Sequence, residues 1–222
     1  HHEQRDFMQR FEAAGFAPDK VDVVLCTHVH VDHVGWNTRW NGSQWLPTFP
    51  NARYLFAKSE FDHWQAHALR EEPDPPTDES RKDRALRQFR ETQRQTWIDS
   101  VKPIFEAGLA DLVDTSHRLC ESVALLPTPG HTVGHVSVCI DSANHQAVIS
   151  GDCVHHPCQI AHPSWQTLVD YDVEQAGNTR VDLFTNLAAN GGILIGSHFA
   201  TPCCGHLKHD GDGFRFVPQP TD

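Results

Sequence analysis

A chain of 222 residues is long enough for one sizeable domain with its own core, and its formal charge of −11, from 18 Lys+Arg against 29 Asp+Glu, makes nucleic acid a poor partner. No apolar run is long enough to span a bilayer and the polar first residues show no signal-peptide pattern, so a cytoplasmic setting and no membrane partner are expected. Seven cysteines, an odd number without a CxxC pair, read as free and largely buried thiols rather than a disulfide framework.

In chain order, residues 3–17 have the spacing of an amphipathic helix, with Phe7, Phe11 and Phe16 as its apolar residues. Val21 to Cys26 reads as a short buried strand. "NARYLFA" (51–57) reads as another, and residues 59–70 open a helix. Residues 71–105 change character: prolines and acids come first, then a strongly charged helical pattern that runs to about Phe105. This charged helical insertion is either a solvated surface element or a candidate lid or pocket wall. Short strands follow at 122–128, 135–141, 146–152 and 191–198. Residues 179–190 read as a helix stopped by Gly191-Gly192, and 210–217 as a turn and a last strand. No repeat and no strong boundary divides the chain, so 1–222 is expected to form a single domain.

The histidine content is the informative excess, at 17 residues. Four loops at strand ends carry candidate metal ligands: His28, His30, Asp32 and His33 in "HVHVDH", His131 in "TPGHTVGH", Asp152 in "SGD" and His198 in "GSH". Imidazole with carboxylate suits zinc, iron, manganese or nickel. Seven ligands exceed one tetrahedral ion and fit two, with one carboxylate bridging. Gly130, Gly134, Gly151 and Gly196 flank the later ligands, where tight turns are needed, and Pro127 and Pro129 stiffen the loop that presents His131. No GxSxG elbow, GxGxxG or P-loop pattern occurs, which leaves serine hydrolases and nucleotide enzymes unsupported.

These four motifs, in their order and rough spacing over residues 21–200, resemble the metallo-β-lactamase superfamily. The context "LCTHVHVDHVGWN" looks most like its lactonase and organophosphate-hydrolase-like branch. The resemblance implies an α/β fold, a four-layer αββα sandwich with a dinuclear site. His28, His30 and His131 would then hold one ion, Asp32, His33 and His198 the other, and Asp152 would bridge. Nothing before Val21 reads as the β-rich segment and "DTG"-like turn with which the family usually opens. The N-terminal strands of the sandwich are therefore expected to be missing from this chain or supplied by another.

The expected cofactors are two divalent ions, zinc by default, with iron, manganese or cobalt open. The expected activity is hydrolysis of a small ester-like substrate by a metal-bridging hydroxide. A lactone of the acyl-homoserine type comes first, with arylesters, phosphotriesters and thiolesters as alternatives within the fold. A metal-binding protein without turnover is the alternative of another class. Several neighbours in the family fit less well: oxygen reductases carry Glu at the His30 position, β-lactamases usually lack the Asp32 ligand, and glyoxalase II enzymes add a helical C-terminal domain. Relatives often pair, which leaves a homodimer open.

Asp152 is expected to position the nucleophile or shuttle its proton. His155, at a position that resembles a substrate-contacting tyrosine of the lactonases, is the candidate to assist the leaving group as proton donor; contacting the substrate or simply lining the cleft are its alternatives. His135 is expected to hydrogen-bond within the site rather than ligate. His156 is assigned no role, and Trp36, Trp40 and Trp45 are a substrate wall or core packing. Cys153 reads as a small buried filler, and Cys203-Cys204 has no partner spacing for a site.

Overall fold

The computed structural model describes residues 6–70 and 80–219. The expectations for 1–5 and for the proline- and acid-rich part of the insertion, 71–79, fall outside them. The chain divides into two compact units. Unit 1 takes in the chain up to Phe56 together with Phe61–Leu112, and unit 2 takes in Ala57–Glu60 and the chain from Val113 onward.

Unit 1 opens on α1 (Phe7–Ala13), shorter than the helix expected over 3–17. Gly15 takes φ +89°, a left-handed conformation that stops the helix at low steric cost. Phe11 packs edge-on against Phe49 at 5.7 Å, while Phe7 and Phe16 stay exposed. β1 (Val23–Leu25) leads through α2 (Val31–Val34) into a hairpin of β2 (Thr38–Trp40) and β3 (Trp45–Pro47). β4 (Arg53–Ala57) returns beside β1 in parallel register, and α3 (Lys58–Ala68) follows it. The hairpin went unread in the sequence because its strands have three residues each. It explains two of the tryptophans: Trp40 and Trp45 face each other across it with ring centroids 5.5 Å apart. Trp36 lies 4.9 Å from Phe7.

The described part of the insertion holds α4 (Arg81–Thr96) and α5 (Lys102–Glu106), joined by a π-helical turn over Trp97–Val101. The Ser80 hydroxyl caps α4 by accepting the Asp83 amide. The wide turn sends Trp97, Ser100 and Val101 inward, so the helical pattern expected to run to Phe105 is correct in extent but broken once. β5 (Ala110–Val113) completes a three-stranded sheet of order β1-β4-β5. Its core gathers Tyr54, Phe56, Phe61, Trp64, Val101 and Ile104.

Unit 2 is a seven-stranded sheet of order β12-β11-β10-β9-β8-β7-β6. Its strands are β6 (Arg118–Cys120), β7 (Val123–Pro127), β8 (Val136–Ser142), β9 (His145–Ile149), β10 (Ile193–Ile195), β11 (Cys204–Asp210) and β12 (Gly213–Pro218). Before β10 come the short α6 (Cys158–Ala161) and the long α7 (Val173–Asn190). α7 starts six residues before the expected position, because the Asp172 carboxylate accepts the Gln175 amide and caps it there. It ends at Gly191 with φ +68°, the glycine stop read from the sequence. β11 was missed because its seven residues, "CGHLKHD", offer one large apolar side chain, Leu207. Leu183, Phe184, Leu187, Leu194, Leu207 and Phe214 centre the core.

The mixed α/β fold class is as expected. All seven cysteines are free, but only Cys26 and Cys153 are buried, and Cys120 and Cys203 are exposed, which corrects the expectation of largely buried thiols. Among the described residues no helix is long and apolar enough to cross a membrane.

Candidate metal centre

In unit 1, the Cys26 amide bonds to the Leu55 carbonyl and carries the β1 ladder one residue on; the chain then bends at Thr27 and His28 and is extended again at His30. The His28 and His30 rings meet edge to face with centroids 4.6 Å apart. Their Nε2 and Nδ1 atoms lie 3.1 Å apart, and both side chains are buried. At His30 the backbone turns into α2, which redirects Asp32 and His33. Those two meet at 3.5 Å, with Asp32 exposed and the His33 ring 4.2 Å from that of His28. α4 pins the stretch: Gln93 Nε2 donates to the Val29 carbonyl at 3.0 Å, and Phe89 stands edge-on to His30 at 5.7 Å. Trp64 from α3 approaches His30 in the same way, also at 5.7 Å.

In unit 2, topology gathers the donors at one end of the sheet. β9 and β10 run parallel, Ile149 beside Ile195, so Asp152 and His198 emerge side by side just beyond their ends. β8 is antiparallel to β9, and the β7–β8 connection that carries His131 therefore returns at the same end. Glycine is required there. Gly130 has φ +125°, and a Cβ on it would come within 2.3 Å of the Ala176 backbone nitrogen. At Gly134, whose amide donates to Glu60 Oε2 at 2.8 Å, a Cβ would fall 2.4 Å from the Glu60 nitrogen.

Asp152 is the hub. Its Oδ2 lies 3.4 Å from His131 Nε2 and 3.2 Å from His155 Nε2, while its Oδ1 lies 3.1 Å from His198 Nε2. The carboxylate thus turns its two oxygens to different imidazoles. Its own amide donates to His135 Nε2 at 2.9 Å. His135 must then carry its proton on Nδ1, which faces Thr128 Oγ1 at 2.9 Å and the Thr128 carbonyl at 3.0 Å. His135 positions the Asp152 turn and is not free to ligate, as the sequence suggested. His155 stacks on His198 at 5.6 Å with 10° between the planes, and its Nδ1 is buried without a hydrogen-bond partner. His156 caps a turn by accepting the Cys158 amide at 3.1 Å.

Behind His131 stands a group with no motif to announce it. Asp170 Oδ1 is 2.9 Å from His131 Nδ1, and its Oδ2 accepts the Thr167 amide at 3.0 Å. Burial would push the Asp170 carboxyl up, but its hydrogen bonds with His131 and Thr167 outweigh that and hold it below the usual range. The ionised carboxylate accepts a hydrogen bond from His131 Nδ1–H and so leaves Nε2 with the lone pair that can ligate. Cys153 has its thiol pushed up to about 12 by burial, in keeping with an inert filler.

The four donors of unit 1 form two pairs, His28 with His30 and Asp32 with His33, and in unit 2 His131 and His198 converge on Asp152. The model of the metallo-beta-lactamase superfamily matches residues 2–189. The chain belongs to the metallo-β-lactamase superfamily. Solved structures agree on this fold. Hydrolase AbOPH of the β-lactamase superfamily is 24% identical, with a TM-score of 0.79 over 98% of this chain and 70% of that one. AidC, a dizinc quorum-quenching lactonase in complex with the product N-hexanoyl-L-homoserine, is 23% identical, with a TM-score of 0.80 over 99% and 72%. A probable metal-dependent hydrolase from Staphylococcus aureus is 17% identical, with a TM-score of 0.74 over 99% and 70%. No curated protein matches the chain. Imidazole and carboxylate donors of this kind suit divalent first-row metals.

Proposed function

We propose that the chain is a metal-dependent hydrolase whose two sets of donors complete one dinuclear centre. His28, His30, His131 and Asp152 would hold one ion, and Asp32, His33, Asp152 and His198 the other. The observation that carries this is the division of the Asp152 oxygens between His131 and His198, the arrangement of a bridging carboxylate. The residues fit the group: two buried imidazoles with facing nitrogens in one unit, and a buried carboxylate among imidazoles in the other.

When bound, two such cations lower the pKa of water between them and polarise a carbonyl or phosphoryl oxygen. The chain's own residues do the rest. His135 and the Gly151–Cys153 turn fix Asp152, which orients the attacking water. His155, beside Asp152 and partly exposed, is placed to give a proton to the leaving oxygen. Trp64 and Phe89 offer an apolar flank beside His30 for the substrate's hydrocarbon part.

The preferred substrate is a lactone of the acyl-homoserine type, supported by the fold shared with AidC. Arylesters and phosphotriesters are the next choices, since the same centre polarises both kinds of oxygen. Elemental analysis combined with a screen of lactones, arylesters and phosphotriesters tests the reading. About two ions per chain with lactone opening is the expected result. Two ions with turnover only on another ester would move the substrate class, and no metal with no turnover would overturn the proposal.

A further inference from the structure

Helix α7 carries an arginine that the hydrolytic reading does not use. The Arg180 side chain is completely buried, a costly place for a permanent cation. All three of its nitrogens are engaged within unit 2. Nε donates to the Pro163 carbonyl at 2.7 Å, Nη2 to the Trp165 carbonyl at 2.9 Å, and Nη1 to the Cys153 carbonyl at 3.4 Å. Nη1 also faces Asp170 Oδ2 at 3.9 Å, and the Asp170 side chain is completely buried as well. One guanidinium therefore ties the residue after Asp152, the loop at 163–165 and the carboxylate behind His131. Gln159 adds a second strut. Its Oε1 accepts the His155 amide at 2.7 Å and its Nε2 donates to the same Trp165 carbonyl at 3.0 Å.

We infer that Arg180 is a positioning residue for the metal centre: its guanidinium anchors the 163–165 loop, the Cys153 carbonyl and the Asp170 carboxylate to one another, and Asp170 in turn fixes His131 with Nε2 presented as a ligand. The inference rests on the dinuclear reading and adds an asymmetry to it. Asp170 contacts His131 and not His198 among the proposed ligands, so the Arg180–Asp170 pair governs one of the two ions. Without the guanidinium the 163–165 loop and the Asp170 side chain lose their shared anchor, and the acceptor that faces His131 Nδ1 is no longer held in place. Arginine suits the task because its fork reaches several carbonyls and a carboxylate at once and cannot deprotonate.

The test is zinc affinity, measured by competition with a chromophoric chelator, for the wild type, Asp170→Asn, Arg180→Met, Arg180→Lys and the double variant Asp170→Asn/Arg180→Met. Melting curves check that each is folded. Asn keeps the shape and an acceptor oxygen but removes the charge. One of the two binding steps is expected to weaken roughly 10–100-fold in Asp170→Asn and in Arg180→Met, the range seen when an outer partner of a ligand is lost. The other step should stay at the wild-type value. Arg180→Lys, which retains the charge, should recover part of the loss. The double variant should be no weaker than the weaker single variant, because both changes act through His131.

Wild-type affinities in folded Asp170→Asn would overturn the inference, and so would losses that multiply in the double variant. Equal weakening of both steps together with a lower melting temperature would reduce Arg180 to a packing residue. If Arg180→Met does not fold, Asp170→Asn and Arg180→Lys decide alone. A wild type that binds no zinc would instead overturn the dinuclear reading and the inference with it.

Discussion

In unit 1 four donors come from one stretch of six residues, His28 to His33, shaped by a bend at Thr27 and His28 and the first turn of α2. In unit 2 three donors come from three separate connections, beyond the ends of β7, β9 and β10, and a buried scaffold of His135, Asp170, Arg180 and Gln159 surrounds them. Donors that are neighbours in the chain inherit their spacing from the backbone. Donors that are distant need a sheet to bring them to one end and buried polar partners to aim them. The donors of unit 1 should therefore depend on their own stretch of chain, and those of unit 2 on their buried supports as well.

The largest effect should come from the ligands themselves. His28→Ala/His30→Ala removes two donors from one proposed ion, and Asp152→Ala removes the bridge. Turnover is expected to fall roughly 1,000-fold or more in each, the several kcal/mol that a bound metal contributes to a hydrolytic transition state. Initial rates with elemental analysis check this: full activity in the double variant would end the metal mechanism. Next is His155→Ala. Without its proposed proton donor, kcat should drop about 100-fold while metal content stays unchanged. An equal loss of metal would make His155 a ligand instead.

The supports come next. His135→Ala leaves the Asp152 amide without its acceptor in a buried turn. The expected destabilisation is about 1–3 kcal/mol, the cost of an unsatisfied buried donor, measured by urea unfolding. A fall of the same size in a matched variant of unit 1 would blur the contrast between the halves. Tyr54→Phe is that match, and its effect should be the smallest. Tyr54 donates to the Asn37 carbonyl and accepts the Phe49 amide, so its loss should cost about 1 kcal/mol. Burial raises the Tyr54 hydroxyl to about 12, above the ordinary value near 10. The group is neutral in both states below pH 10, so its contribution is fully present there. Between pH 10 and 12 the unfolded chain ionises first, and stability should fall by about 1.4 kcal/mol per pH unit from this residue. That component should vanish in Tyr54→Phe, and an unchanged alkaline slope would contradict it.

The contrast also marks what the sequence could show. The motif "HVHVDH" was legible because its ligands are contiguous, and His131, Asp152 and His198 because glycines mark the turns that carry them. Most strands and helices were legible from apolar runs and stops. β2, β3 and β11 were not, being too short or too polar to show a period. Asp170 and Arg180 were hidden for a different reason. Each is an ordinary charged residue in an unremarkable context, and only the fold buries one against the other and against His131. The N-cap aspartate just after Asp170 was the nearest signal, and it speaks of a helix start rather than of a ligand's support.

The central claim is that Asp152 joins two ions. Electron paramagnetic resonance of the metal-free protein titrated with Co2+ tests it most directly. The account predicts that the second equivalent alters or quenches the signal of the first, since a shared carboxylate couples the two spins, and that Asp152→Ala abolishes the coupling. Two signals that simply add in the wild type, or a titration that stops at one ion per chain, would contradict it.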